Sequence, residues 1–338
     1  MKVFLIGGTG LLGSAAAAEL LQRGHQVNAI ALPPAPEGEK LPAGMNLEFK
    51  NYLTLTDDEI RGCFEGCEGF IFASGVDERV EGPSPVYDFF CKYNLHPLER
   101  LLRIAKQSGV KHAVICGSYF SYFDKIWPKK ELYRWHPYIR CRRDQEKMAL
   151  GFADDNFSVG ILELPYIFGA QQGREPVWTL IVKVVRGMKG STMYPKGGTA
   201  MVTRRQVAQA LAGALEKTKG GQCWPIGYYN MKWKELLTIV HKHMGMPDRK
   251  VITIPDWMLR LGMKSMEKQL RKPGAEGGLY MPKFPDIQCA ETFVDKSLGC
   301  VPLGVQDDDI DAAIGESIKL SMDIMDGKIK NYLTMIGE

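Results

Sequence analysis

The stretch KVFLIGGTGLLGSAAAAELLQRGHQVNAIAL, residues 2–32, constrains the fold more than any other. Its opening VFLI is a short unbroken apolar run, the pattern of a strand buried on both faces, and it leads straight into Gly7, Gly8, Gly10 and Gly13. From Leu11 the apolar and small residues fit one long helix closed by Gly24, and QVNAIAL reads as the next strand. Strand, glycine turn, helix and strand make the unit that binds a dinucleotide. Glycines let the chain turn tightly and let a pyrophosphate approach backbone N–H groups at the helix N-terminus, where the dipole favours an anion. The expected contacts are Gly7, Gly10 and Gly13, with Leu11 and Leu12 at the start of the helix.

At the end of the second strand a carboxylate would hold the ribose diol of NAD, and a basic residue would receive the extra phosphate of NADP. The chain reads NAIALPPAPEGEK there, with neither. Nothing repels a 2′-phosphate, which tips the expectation from NAD toward NADP. The remaining bulk properties narrow the class. A length of 338 residues, 45% apolar, allows one large domain or two modest ones. A net charge of +4, from 43 basic and 39 acidic residues, argues against a nucleic-acid partner. The eight cysteines form no CxxC pair and no His/Cys cluster, so free thiols in a reducing cytoplasm and no metal site are expected. No apolar run reaches the ~18 residues of a membrane span, and with a strand beginning at once, without a basic n-region and cleavage site, no signal peptide is expected. A small-molecule substrate is the expected partner, and a homodimer is compatible with such a chain.

The βα alternation continues with LEFKNYL, a helix from Asp57 to about Gly66, GFIFASG, a long amphipathic helix over VYDFFCKYNLHPLERLLRIAKQSGV, and KHAVICGSYFSYFD. The GxxGxxG spacing within GGTGLLG resembles the extended short-chain dehydrogenase/reductase superfamily, of the NAD-dependent epimerase/dehydratase-like kind, and the resemblance runs in order through about residue 245. It implies an α/β fold, a Rossmann-type doubly wound parallel sheet with a smaller C-terminal substrate-binding part. The dinucleotide-binding domain is expected over 1–170, completed by strands from about 195–230, with 171–338 mainly the substrate-binding region.

The resemblance also assigns roles. Asn51 and Tyr52 fall at the adenine position, and Ala73, Ser74 and Gly75 of FASG match the loop under the nicotinamide ribose. Asn94 matches a helix asparagine that holds a water joining the site to solvent. Ser118 takes the place of the serine that polarises the substrate oxygen, and Tyr138 that of the acid/base tyrosine. Pro165 and Ile167 belong to a loop lying against the nicotinamide. Three departures stand out: Arg142 where the motif has lysine, Glu163 where arginine is common, and VTRRQVA for the usual VHVDDVA.

Tyrosine and arginine four apart on a helix share a face, so Arg142 is expected to orient ribose and to favour the phenolate of Tyr138. It cannot give up a proton, so a relay through lysine is lost. Two functions follow. One is an NAD(P)-dependent oxidoreductase or epimerase/dehydratase-like enzyme acting on a secondary alcohol or ketone. The other is a non-catalytic dinucleotide binder, redox-sensing or assembly-related. Retention of both Ser118 and Tyr138 favours the enzyme.

Overall fold

The computed structural model describes residues 1–334. Seven strands form one parallel sheet in the order Gly221–Pro225, Ser158–Glu163, His112–Cys116, Gly69–Phe72, Lys2–Ile6, Gln26–Ala31, Met45–Phe49. The register sets Leu5 between Ala29 and Ile71. Gly69–Phe72 is buried throughout and Lys2–Ile6 from Val3 onward, which is why both read as unbroken apolar runs. Strands are added first on one side of Lys2–Ile6 and then on the other. This reversal opens a crevice at the carboxyl ends of Lys2–Ile6 and Gly69–Phe72, where open α/β sheets bind ligands.

Helices cover both faces. Leu11–Gln22 and Arg204–Lys217 pack together on one, enclosing Ala16, Leu20, Val207 and Leu211 over Val3 and Leu5. On the other, Ile60, Leu98, Leu102 and Ala149 close over Phe4, Phe70 and Phe72. Each such large apolar side chain contributes roughly 1.5–3 kcal/mol through burial.

The structure departs from the sequence reading at three places. The helix expected to reach Gly66 ends at Cys63. The long helix is interrupted: Val86–Phe90, a π-helical turn Cys91–Leu95, then His96–Gln107. Pro97 falls just after that π-helical turn inside the continuous helical run, so the irregular turn sits where the proline has no N–H to continue the regular bonding. The third concerns the strands of 195–230, of which only Gly221–Pro225 joins the large sheet. Gly198–Thr203 instead centres a second sheet, antiparallel to Tyr229–Lys232 and parallel to Tyr166–Phe168 and Glu291–Thr292. The chain therefore passes between the two sheets more than once. The basic helix Asp256–Arg271 buries only Glu267. Among the described residues no helix is long and apolar enough to cross a membrane, and no cluster of His, Cys, Asp or Glu could hold a metal ion.

Two close backbone approaches fix the crevice. Gly7 has φ +95°, and a Cβ there would lie 2.4 Å from Ala73 O. A Cβ at Gly13 would lie 2.1 Å from Gly7 O. Gly13→Ala should therefore force the helix off the turn and cost about 1–3 kcal/mol. The expected result is a lower urea midpoint at unchanged m-value; an unchanged midpoint would show that the turn can yield.

Candidate active site

The glycine turn is pinned to the sheet and leads into an uncapped helix end. Gly7 and Gly8 N–H groups both donate to Ile30 O, at 2.9 and 3.2 Å, which pins the turn to the neighbouring strand. Gly10 is the N-cap of Leu11–Gln22 and no side chain caps that helix. A Cβ at Gly10 would meet only Gly7 O, at 3.2 Å, so the space above the helix end is open. Leu11 and Leu12 begin the helix with half-buried side chains, Leu12 resting on the core. Ala73 follows strand Gly69–Phe72, its N–H donating to Ile6 O at 3.0 Å. Ser74 Oγ is hydrogen-bonded to Tyr52 Oη at 3.1 Å. Asn51 Oδ1 accepts from Leu53 N–H at 3.0 Å, so the oxygen expected to face adenine already serves a local turn.

Across the crevice stands helix Pro137–Leu150. Tyr138 and Arg142 share its buried face, and Arg142 Nε donates to Tyr138 Oη at 3.1 Å. The guanidinium also donates through Nη1 to Gln145 Oε1 at 2.8 Å and to Cys116 O at 3.4 Å. Gln145 Nε2 donates onward to Asn94 O at 2.6 Å. Asn94 itself is fully buried on the π-helical turn, and its amide is spent on Val76: Oδ1 accepts from Val76 N–H at 2.8 Å and Nδ2 donates to Val76 O at 2.9 Å. That side chain thus clamps the loop after Gly75. Only its backbone carbonyl reaches the arginine, through Gln145. A Cβ at Gly75 would lie 2.4 Å from Asn94 Oδ1 and 3.9 Å from Arg142 Nη2, so this loop passes directly beside the arginine.

Ser118 caps the helix Tyr119–Ile126, its Oγ accepting from Phe120 N–H at 3.4 Å, two residues beyond the carbonyl that Arg142 touches. Pro165 is buried, and Ile167 O accepts from Trp178 Nε1 at 2.8 Å. Arg142 lowers the pKa of Tyr138 as expected, but burial outweighs it and the phenol is pushed up to about 12. The net direction is therefore opposite to the sequence expectation.

Sequence reasoning missed Glu78, on the loop after Gly75. Loss of hydration, then the charge of Asp77, push its carboxyl up to about 7, against the pull of Arg79 and Arg142. The charge of the same group adds to the rise of Tyr119, Tyr138 and Tyr166, in each case behind burial. No local pattern marks it. The other departures acquire structural reasons. Glu163 is fully buried with Lys125 Nζ at 2.7 Å, and burial with the nearby Glu146 charge raises it to about 8. In VTRRQVA, Thr203 and Gln206 form a capping box. Arg204 ties Leu11 O at 3.0 Å, Ser14 Oγ at 2.9 Å, Ala170 O at 2.9 Å and Glu39 Oε1 at 2.9 Å into one node beside the glycine helix.

A doubly wound parallel sheet with a glycine turn at its switch point and a tyrosine helix facing it defines a Rossmann-type dinucleotide-binding protein. The chain belongs to the NAD dependent epimerase/dehydratase family, whose model matches residues 3–225. Over 123 residues it is 31% identical to the UDP-glucose 4-epimerase of Corynebacterium glutamicum, a match spanning 36% of each protein. In fold it is similar to the crystal structure of gox2253, with a TM-score of 0.74 at 20% identity over 97% of this chain and 99% of that one. It is also similar to the UDP-glucuronic acid 4-epimerase of Bacillus cereus in complex with UDP-glucuronic acid and NAD. There the TM-score is 0.64 at 13% identity over 96% and 100% of the two chains.

His136, the residue before the tyrosine helix, gives the site a pH signature. It is fully buried, and its Nδ1 accepts from Tyr280 N–H at 3.0 Å, which places any ring proton on Nε2. Burial, opposed by Asp286 and assisted by Lys283, depresses it to about 4. The unfolded chain, titrating near 6.5, binds a proton that the folded chain refuses. Stability is therefore full above about pH 6.5 and lost as pH falls toward 4, by up to about 3 kcal/mol. The urea midpoint should drop between pH 7 and pH 5, and His136→Asn should flatten that slope.

Proposed function

We propose that the protein is an NAD(P)-dependent enzyme of the epimerase/dehydratase kind that acts on a secondary alcohol of a nucleotide-linked sugar. The observation that carries this reading is the Arg142 Nε bond to Tyr138 Oη at 3.1 Å. Because Arg142 donates to the phenolic oxygen, the phenolic hydrogen is left to point at a ligand. A bound nicotinamide would supply the hydride acceptor. Once its own proton has passed to solvent, the Tyr138 phenolate takes the proton of the substrate hydroxyl as hydride leaves, and the phenol so formed returns that proton to the carbonyl oxygen as hydride comes back; Arg142 stabilises the phenolate against the burial that favours the neutral form. Ser118, at the start of its helix, fixes the substrate oxygen. Glu78 supplies a second acid/base group near neutrality.

Support for the substrate class comes from relatives described with UDP-glucose and UDP-glucuronic acid. On the cofactor, those relatives are described with NAD, whereas Leu32 at the end of strand Gln26–Ala31 neither repels nor grips a 2′-phosphate, so NADP stays within this proposal. A second reading, a dinucleotide binder without turnover, draws support from the phenol's rise to about 12.

Four measurements test these readings. Calorimetry should show dinucleotide binding by the native protein and none by Gly10→Leu, whose side chain fills the open space above the helix; no binding by the native protein would end both readings. Incubation with UDP-sugars should yield an epimerised or dehydrated product or a reduced cofactor. Tyr138→Phe should then lower turnover roughly 10²–10⁴-fold with cofactor affinity unchanged. A pH–rate limb near 7 should disappear in Glu78→Gln.

A further inference from the structure

Arg174 occupies the loop that follows strand Tyr166–Phe168, and its setting differs from that of the other arginine beside the glycine helix. Gln171, buried on the same loop, donates through Nε2 to Thr9 O at 3.0 Å and to Ser14 Oγ at 3.2 Å. Its Oε1 accepts from Arg174 Nε at 2.9 Å. One amide therefore links the guanidinium to Thr9 in the glycine turn and to Ser14 in the first turn of Leu11–Gln22.

The backbone holds this position from two further directions. A Cβ at Gly173 would lie 2.3 Å from Glu37 O, so the loop is pressed against residues 36–37. Leu333 N–H donates to Gly173 O at 2.8 Å, and Glu175 N–H donates to Leu333 O at 2.9 Å.

Arg174 is half-buried, yet among the described residues its guanidinium has one partner, a neutral amide, and no carboxylate. Burial alone depresses its pKa, with no acid acting against it. Arg204, which donates to the same Ser14 Oγ as Gln171, is compensated by Glu39 and three further acceptors, Ser14 among them. A cation drawn out of water without a counter-charge is costly unless an anion completes the site. A planar guanidinium with free N–H groups matches phosphate oxygens.

We propose that Arg174, oriented by Gln171, binds a phosphate group of the dinucleotide. This rests on the dinucleotide-binding reading above. The phosphate has two sources: the pyrophosphate common to NAD and NADP, or the 2′-phosphate that NADP alone carries.

The test is calorimetric titration of the full chain with NAD and with NADP, comparing the native protein with Arg174→Lys, Arg174→Met and Gln171→Glu. Arg174→Met should weaken binding roughly ten- to a hundredfold, the range of a charge-assisted bond, and Arg174→Lys by less. A loss shared by both cofactors assigns the pyrophosphate; a loss confined to NADP assigns the 2′-phosphate. Gln171→Glu keeps the arginine but supplies an internal carboxylate, which competes with phosphate and should also weaken binding. A merely structural arginine would be held more firmly by that change and affinity would not fall. Unfolding midpoints measured alongside separate loss of fold from loss of ligand. If the native protein binds neither cofactor, the dinucleotide reading itself fails. If it binds and none of the variants changes its affinity, the assignment of Arg174 is overturned and the family-level reading stands.

Discussion

The architecture depends on two places where the chain passes itself too closely for any side chain. At Gly7 the turn lies against Ala73 O, and at Gly13 the helix lies against Gly7 O. These contacts bring the ends of Lys2–Ile6 and Gly69–Phe72 together and aim the uncapped end of Leu11–Gln22 into the space between them. Other parts are built around that arrangement. Loop 73–76 rises beside it, clamped by Asn94, and the Arg204 node braces the helix from its outer side.

Arg142 is the second organising element. It is nearly buried, and its acceptors are neutral: a phenol, a glutamine and a backbone carbonyl. Such acceptors satisfy the guanidinium without cancelling its charge, which stays available to the phenol beside it and to Glu78. Burial sets the resting state of Tyr138 as a neutral phenol, and the cation limits how far its pKa rises. A lysine could exchange protons at this position; an arginine holds its own and works through its field.

How much of this was legible in the sequence follows from the range of each interaction. The glycine turn, Ser118, Tyr138 and Arg142 are local signals, carried by spacings of three or four residues and by apolar runs. The Arg204 bond to Leu11 joins residues 193 apart, and that of Gln171 to Thr9 joins residues 162 apart. No periodicity announces such contacts. The π-helical turn at Cys91–Leu95 adds a residue per turn inside a helix whose apolar pattern looks continuous, so only backbone geometry reveals that Asn94 faces Val76. Gly198–Thr203 was legible as a strand, but its partners were not, because strand pairing depends on the register of distant segments.

The C-terminal part reaches back to the start of the tyrosine helix. Ala275–Gly277 pairs antiparallel with Glu81–Pro83, Gly278 O accepts from Tyr138 N–H at 3.0 Å, and Tyr280 N–H donates to His136 Nδ1 at 3.0 Å. The strap 275–280 thus stitches the segment beyond Glu78 to the residue that carries the phenol. Separating those segments would unpick the same stitches that seat Tyr138. The seat of the phenol is thus shared between distant parts of the chain, and a change that loosens the pairing of Ala275–Gly277 with Glu81–Pro83 reaches Tyr138 through the single backbone bond from its N–H to Gly278 O.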